Sequence, residues 1–220
     1  ADRGTVAQRL AVGWRAMRST PGCWHGWYVV VLMNIAIAPF MGLIPIYARA
    51  TFHGGTGLTG LFSTTQGVGA ILGTFIVAAV AARYGPSRAL GLLAPTAVIV
   101  YLAWALAPNA ATAIAVVACM GFCSSGIFVT GMSTVQRDAP SEQRGRVMSI
   151  AQASMGCGYG LGLVIVGAIG DAVNLRVGFL VAAAIFASGF GYLTHRSAHW
   201  REAIDGVEFE TPDRGSLAVA

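Results

Sequence analysis

Few side chains in this 220-residue sequence combine the type and spacing that chemistry needs. His195-x-x-x-His199 has the spacing of two metal ligands one helical turn apart, but no third ligand stands with it, so no metal is expected. Asp171 closes an apolar run, where a carboxylate reads as a helix-end or loop residue. Cys119, Cys123 and Cys157 lie inside apolar runs and Cys23 stands alone. That is a pattern of small buried side chains rather than of disulfides or metal ligands. No nucleophile is paired with a base, and no glycine-rich loop has the spacing of a phosphate cradle. Neither a catalytic centre nor a cofactor is expected. The residues that demand an explanation are Arg144 and Arg146 in "APSEQRGRVMSIAQ" (139–152), directly before a long apolar run. If that run is a helix, they stand at its N-terminus, where unpaired N–H groups already carry partial positive charge. A cation there costs about 0.3–1 kcal/mol unless something compensates. Asp138 and Glu142 offer local relief.

The elements that position these residues are set by composition. Hydrophobic residues make up 55% and charged residues 10%, with a mean hydropathy of +0.67. A soluble domain carries about a quarter charged residues, so this is the composition of a membrane protein. Six charge-free runs of 18 to 25 residues, long enough for a hydrocarbon core of ~30 Å, span Trp27–Ala48, Leu58–Ala82, Ala89–Ala107, Ala111–Val135, Val147–Gly170 and Val177–Thr194. Pro39, Pro45 and Pro95 fall inside runs, which membrane helices tolerate. The net charge of +5 does not indicate nucleic-acid binding, because no run interleaves basic and aromatic residues along one face. All 14 cations are arginines, and 12 fall on one side of the predicted topology: Arg3, Arg9, Arg15, Arg18, Arg83, Arg88, Arg137, Arg144, Arg146, Arg196, Arg201 and Arg214. Arg49 and Arg176 fall on the other. The positive-inside rule then makes both termini cytoplasmic. Residues 1–26 form a cytoplasmic segment, either a linker or an amphipathic helix with Val6, Leu10, Trp14 and Met17 on one face. Residues 27–194 form the transmembrane bundle. Residues 195–220 form a polar, acidic tail expected to be solvated.

"STTQGVGAILG" (63–73) and "QASMGCGYGLG" (152–162) match at Gly67, Gly69, Gly73 and Gly156, Gly158, Gly162, a constant offset of 89. The same offset lays the first three runs over the last three. An odd-numbered repeat must enter the membrane from the opposite side, so the fold class is an all-α membrane protein with six transmembrane helices in a 3+3 inverted repeat. The six glycines are expected to pack helices closely.

Three stretches resemble a known family: "LIPIYARATFHG" (43–54), "GVGAILGTFIVAAVAARYGPSRAL" (67–90) and "VQRDAPSEQRGRVMS" (135–149). They are similar to the C-terminal six-helix half of major facilitator superfamily transporters, in the branch of bacterial exporters that includes enterobactin exporters and macrolide efflux proteins. The superfamily loop motif reads Gly-x-x-x-Asp-Arg-x-Gly-Arg-Arg. Here Arg83 and Gly85 match, Ala78 and Ala82 replace the glycine and aspartate, and Arg88 follows nearby. A complete member has twelve spans, so the resemblance implies partners beyond the lipid bilayer: an N-terminal six-helix half, or a second copy. It also implies residence in the bacterial inner membrane.

What the resemblance implies for sites follows from its cavity, lined by the first helix of each three-helix unit. Asn34 and Met41 on span one, and Ser124, Ser125 and Phe128 on span four, become candidate cavity residues, joined by Gln66 and Gln152 from spans two and five. Gly121 and Met132 extend the span-four stripe at helical spacing. A mixed stripe of Met, Phe, Ser and Gln suits an amphipathic small molecule; the alternative use of such groups is interhelical hydrogen bonding. Arg83, Gly85, Arg88, Arg144, Gly145 and Arg146 are the candidate cytoplasmic gate. The functional expectation is export of a drug-like or siderophore-like solute. The alternative is a half-size membrane protein acting as a non-transporting scaffold or self-pairing dimer. An intramembrane enzyme lacks its catalytic polar cluster.

Overall fold

The computed structural model describes residues 6–196 and 199–206, with side chains from residue 11 onward. All regular structure among them is helical: α1 (Val6–Ser19), α2 (Pro21–Ala36), α3 (Pro39–Phe52), α4 (Thr56–Tyr84), α5 (Pro86–Ala105), α6 (Ala110–Asp138), α7 (Arg144–Ala172), α8 (Leu175–Arg196) and α9 (Trp200–Asp205). Six stretches are long and apolar enough to cross a membrane, α2 and α3 together making the first. The protein is an all-α, multi-pass membrane protein. Arg83, Arg88, Arg137, Arg144 and Arg146 gather at one end of the bundle, called here the arginine-rich end; the opposite end is the far end.

α2 and α6 cross at the centre. α4 lies along α6, α7 lies along α2, and α5 and α8 back the central pair. Missing side chains set these contacts. A Cβ at Gly69 or Gly73 would run into the carbonyl oxygen of Ala118 or Phe122 on α6, and one at Gly121 into that of Gln66 on α4. In the second unit, Gly158 lies against Ile35 and the Val31 carbonyl, and a Cβ at Gly162 would strike the Ile35 carbonyl. The two halves of the repeat therefore use equivalent glycines for equivalent contacts. Subtracting 89 from Ala118 and Phe122 gives 29 and 33, and the observed partners are Val31 and Ile35, two residues further on. At the arginine-rich end Gly26 and Gly131 bring α2 and α6 backbone to backbone. Gly67 and Gly156 depart from expectation. No heavy atom lies within 4 Å of a Cβ built on either, so they pack nothing within the described chain.

The far half of the core is aromatic. Phe40, Tyr47, Phe62, Tyr101, Trp104 and Phe179 are fully buried and meet largely edge to face. Such pairs add about 0.5–1.5 kcal/mol beyond area burial. The Tyr47 hydroxyl donates to the Trp104 carbonyl at 3.0 Å, and the Tyr101 hydroxyl to the Ile37 carbonyl at 3.3 Å.

Three elements differ from the sequence expectation. The first span begins at Pro21 rather than Trp27, because Gly22 and Cys23 are already buried in the bundle, and it is broken at Ile37–Ala38. Of the two readings of the N-terminal segment, the helix is the one seen, over Val6–Ser19, and it differs from expectation only in docking on the bundle. Met17 and Ala16 pack with Cys23, Val135, Ala139, Val147 and Ile150, while Trp14 meets Trp24 and Trp27 edge-on. The acidic tail is not wholly solvated. α9 buries Trp200, Ala203 and Ile204, with Trp200 against Phe190; residues 207–220 lie outside the described residues. Cys119 and Cys157 are exposed, whereas Cys23 and Cys123 are buried as expected.

Candidate functional site

The first span breaks midway along its length. Pro39 has no N–H to offer the Ile35 carbonyl, and its ring would clash with it in a continuous helix. The chain responds by turning the Ala38 amide onto Met33 O at 3.0 Å, which also accepts the regular bond from Ile37 at 2.8 Å, and by starting α3 afresh with Pro39 at its first position. The freed Ile35 carbonyl faces Gly162 on α7, which alone can approach it. Discontinuous helices of this kind are tolerated at membrane depth where neighbouring helices bury the loosened backbone.

The candidate cavity residues scatter around this break rather than forming one stripe. Met41 and Gln152 are exposed. Asn34 is half-buried and its amide donates to Val30 O at 2.9 Å. Gln66 is half-buried beside Gly121. On α6 the expected stripe divides. Ser125 turns to α4 and hydrogen-bonds Thr74 at 2.5 Å. Ser124 is buried, its hydroxyl donating to Gly121 O at 3.2 Å. Phe128 is half-buried, and Met132 is buried with Val30, Ala151 and Met155. The reason is that α6 is contacted by α4 on one side and α2 on another, while Ser124, Thr130 and Thr134 satisfy their hydroxyls on the preceding turn. These groups are neutral donors and acceptors. They can orient a solute, and they cannot move a proton.

At the arginine-rich end the loop between α4 and α5 turns through Gly85, whose φ of +94° favours glycine. Ser87 at the start of α5 donates its N–H to Asp205 Oδ1 at 2.9 Å and its hydroxyl to Oδ2 at 2.6 Å. Asp205, on the short tail helix, is thus the N-terminal cap of α5. Arg137 grips Asp138 through Nε at 2.6 Å and Nη2 at 3.1 Å, and Nη2 also donates to Ile204 O at 2.7 Å. Asp138 faces Arg137 and the start of α2 at Gly22, so among the described residues it does not supply the relief expected for Arg144. Arg144 and Glu142 are exposed, Arg146 packs against Gly13 of α1, and no described heavy atom lies near a Cβ built on Gly145. Arg83 and Arg88 are exposed, Arg83 lying over the Tyr84 ring at 5.4 Å. Ala78 and Ala82, where the superfamily motif has glycine and aspartate, help line a cavity of about 310 Å³ with Arg137 at its edge. His199 pairs with Glu202 at 2.8 Å.

Asp205 and Trp200 were missed by sequence reasoning. Their signal was present: Trp200, Ala203 and Ile204 have apolar i, i+3, i+4 spacing, and Gly206 follows as a helix stop with φ +73°.

Comparison with known proteins adds one match. No curated protein and no solved structure matched the chain. A family model described as Major Facilitator Superfamily matches residues 26–213, from the first span through the tail helix. With six spans in two glycine-matched units and the first of them broken midway along its length, the chain belongs to the Major Facilitator Superfamily, a family of membrane transporters.

Proposed function

We propose that the chain works as the C-terminal half of an exporter that moves an amphipathic solute by rocking against six further spans. Its arginine-rich end is cytoplasmic, in a bacterial inner membrane. One observation carries the reading: α4 and α7 each keep an unpacked face, and these faces correspond under the repeat. Gly67 on α4 and Gly156 on α7, 89 residues apart, have nothing within 4 Å of a Cβ position. Ser63 and Thr64 extend the open side of α4, and Gln152 and Gly160 that of α7. Glycines and hydroxyls on a helix face suit close helix contact better than lipid. Asn34, Met41, Gln66, Ser125 and Phe128 then belong to one wall of a cavity whose opposite wall is the partner. Ser124 supports that wall from behind.

Alternating access needs one bundle to move against another. The chain as a monomer in liposomes is therefore expected to show no ethidium flux above that of empty vesicles. Flux by a proven monomer refutes the reading. Flux by a dimer supports the self-pairing form, which the matched faces would also serve. A reporter fused after Asn109 is expected to read as external, and one after Pro86 as internal; the reverse pattern would overturn the orientation.

A further inference from the structure

At the far end, α3 diverges from α7 and leaves a cavity of about 640 Å³ lined by Leu43, Ile46, Thr51, Asp171, Asn174 and Arg176, among others. Its origin is the break in the first span. Up to Gly42, which touches Tyr159 of α7, the two helices stay in contact. Beyond it they part, and a Cβ on Gly167 would meet nothing within 4 Å.

Two opposite charges line this cavity without closing on each other. Asp171 lies in the last turn of α7, which contains no basic residue. There the unpaired carbonyls make a carboxylate unfavourable. Arg176 lies in the first turn of α8, which contains no acidic residue, and there a cation is unfavourable. Among the described residues no ion pair reaches Asp171, and the Arg176 guanidinium donates instead to the Ala107 carbonyl at 2.9 Å. Asn174 uses its side-chain oxygen to cap α8, accepting from the Val177 N–H at 2.9 Å, which leaves its amide NH₂ as a donor. The apolar side of the cavity is supplied by Leu43, Ile46 and Val173, the last two more than half exposed.

We infer that this cavity binds a zwitterion with an apolar tail. Its ammonium meets Asp171, its phosphate or carboxylate meets Arg176 and the Asn174 amide, and its tail lies along Leu43 and Ile46. Such a ligand neutralises both misplaced helix-end charges at once, which neither a simple cation nor a simple anion can do. A phosphatidylethanolamine headgroup and a free zwitterionic solute share this chemistry. The site stands apart from the proposed cavity wall and does not depend on transport.

The test is thermal unfolding of the chain in maltoside micelles with phosphatidylethanolamine, with phosphatidylglycerol of the same acyl chains, or with soluble phosphoethanolamine. At about ten times the dissociation constant, phosphatidylethanolamine is expected to raise the midpoint by ~3 °C more than phosphatidylglycerol does. That difference should vanish in Asp171→Asn, which has no partner to lose and whose own midpoint should not fall. Arg176→Gln should lose it too, while the control Glu142→Gln at the opposite end keeps it. An equal shift with soluble phosphoethanolamine assigns the site to a free solute, and a shift with the lipid alone assigns it to a headgroup. Equal responses to both lipids in the wild-type chain, or an undiminished response in Asp171→Asn, would overturn the inference.

Discussion

Glycines of one helix serve two opposite purposes here, and substitution separates them. At Gly73 and Gly162 a side chain would meet a carbonyl oxygen of the neighbouring helix, a wall that cannot move aside as a flexible side chain can. Gly73→Val or Gly162→Val is expected to destabilise the chain by at least ~1–3 kcal/mol, the usual cost of overpacking. Gly67→Ala and Gly156→Ala meet nothing. They should leave the chain unchanged or stabilise it by about 0.5–1 kcal/mol through lost glycine entropy. Unfolding in detergent read by tryptophan fluorescence checks both. Equal losses at all four positions would mean that the open faces are filled. Asp205 is the other decisive single residue. Asp205→Ala removes the cap of α5 and should cost about 0.5–2 kcal/mol, with faster tryptic cleavage at the exposed Arg88. Cleavage at the wild-type rate would reduce α9 to a passive neighbour.

Among elements, α7 is charged against its dipole at both ends, with Arg144 and Arg146 at one and Asp171 at the other. In the isolated chain, Arg144→Gln at the exposed position should therefore not destabilise the helix, and relieves up to about 1 kcal/mol, while the double variant with Arg146→Gln is kept for the assembled transporter. In the assembled transporter we propose that the pair grips acidic groups of the partner and acts as a cytoplasmic gate. The same double variant should then shift thiol accessibility towards the inward-facing state by a factor of ~5–150, the range of conformational couplings of 1–3 kcal/mol. Unchanged accessibility and transport would leave the arginines as topological signals. The spans themselves were legible, because a charge-free run of membrane length has few other uses. The break at Ile37–Ala38 was not. A proline inside an apolar run is compatible with a continuous kinked helix, and only the Gly162 contact shows where the freed carbonyl goes. The α6 stripe was misleading for a related reason: hydroxyls that bond their own helix leave no polarity pattern to mark which neighbour they face.

For the whole molecule, the 89-residue offset was the most informative feature of the sequence, since it laid the first three spans over the last three and marked Gly69, Gly73, Gly158 and Gly162 as points of close helix packing. Its register shift of two residues between the units was invisible, because that shift depends on how far each pair of helices slides. The tail clip was hidden as well, because its acidic residues suggest solvation until Trp200 and Ile204 are seen to anchor them. What the repeat could show only in part is the role of Gly67 and Gly156, matched in sequence yet unpacked in the fold. The central claim is that these two positions face six further spans. The direct measurement places a benzophenone photo-crosslinking residue at Gly67, at Gly156 and, as a control on the back of the bundle, at Leu92, which is 68% exposed. Irradiation in native membranes should yield one discrete protein adduct from both 67 and 156 and none from 92, its mass reporting either a partner half or a second copy. Lipid adducts alone from all three positions would contradict the claim.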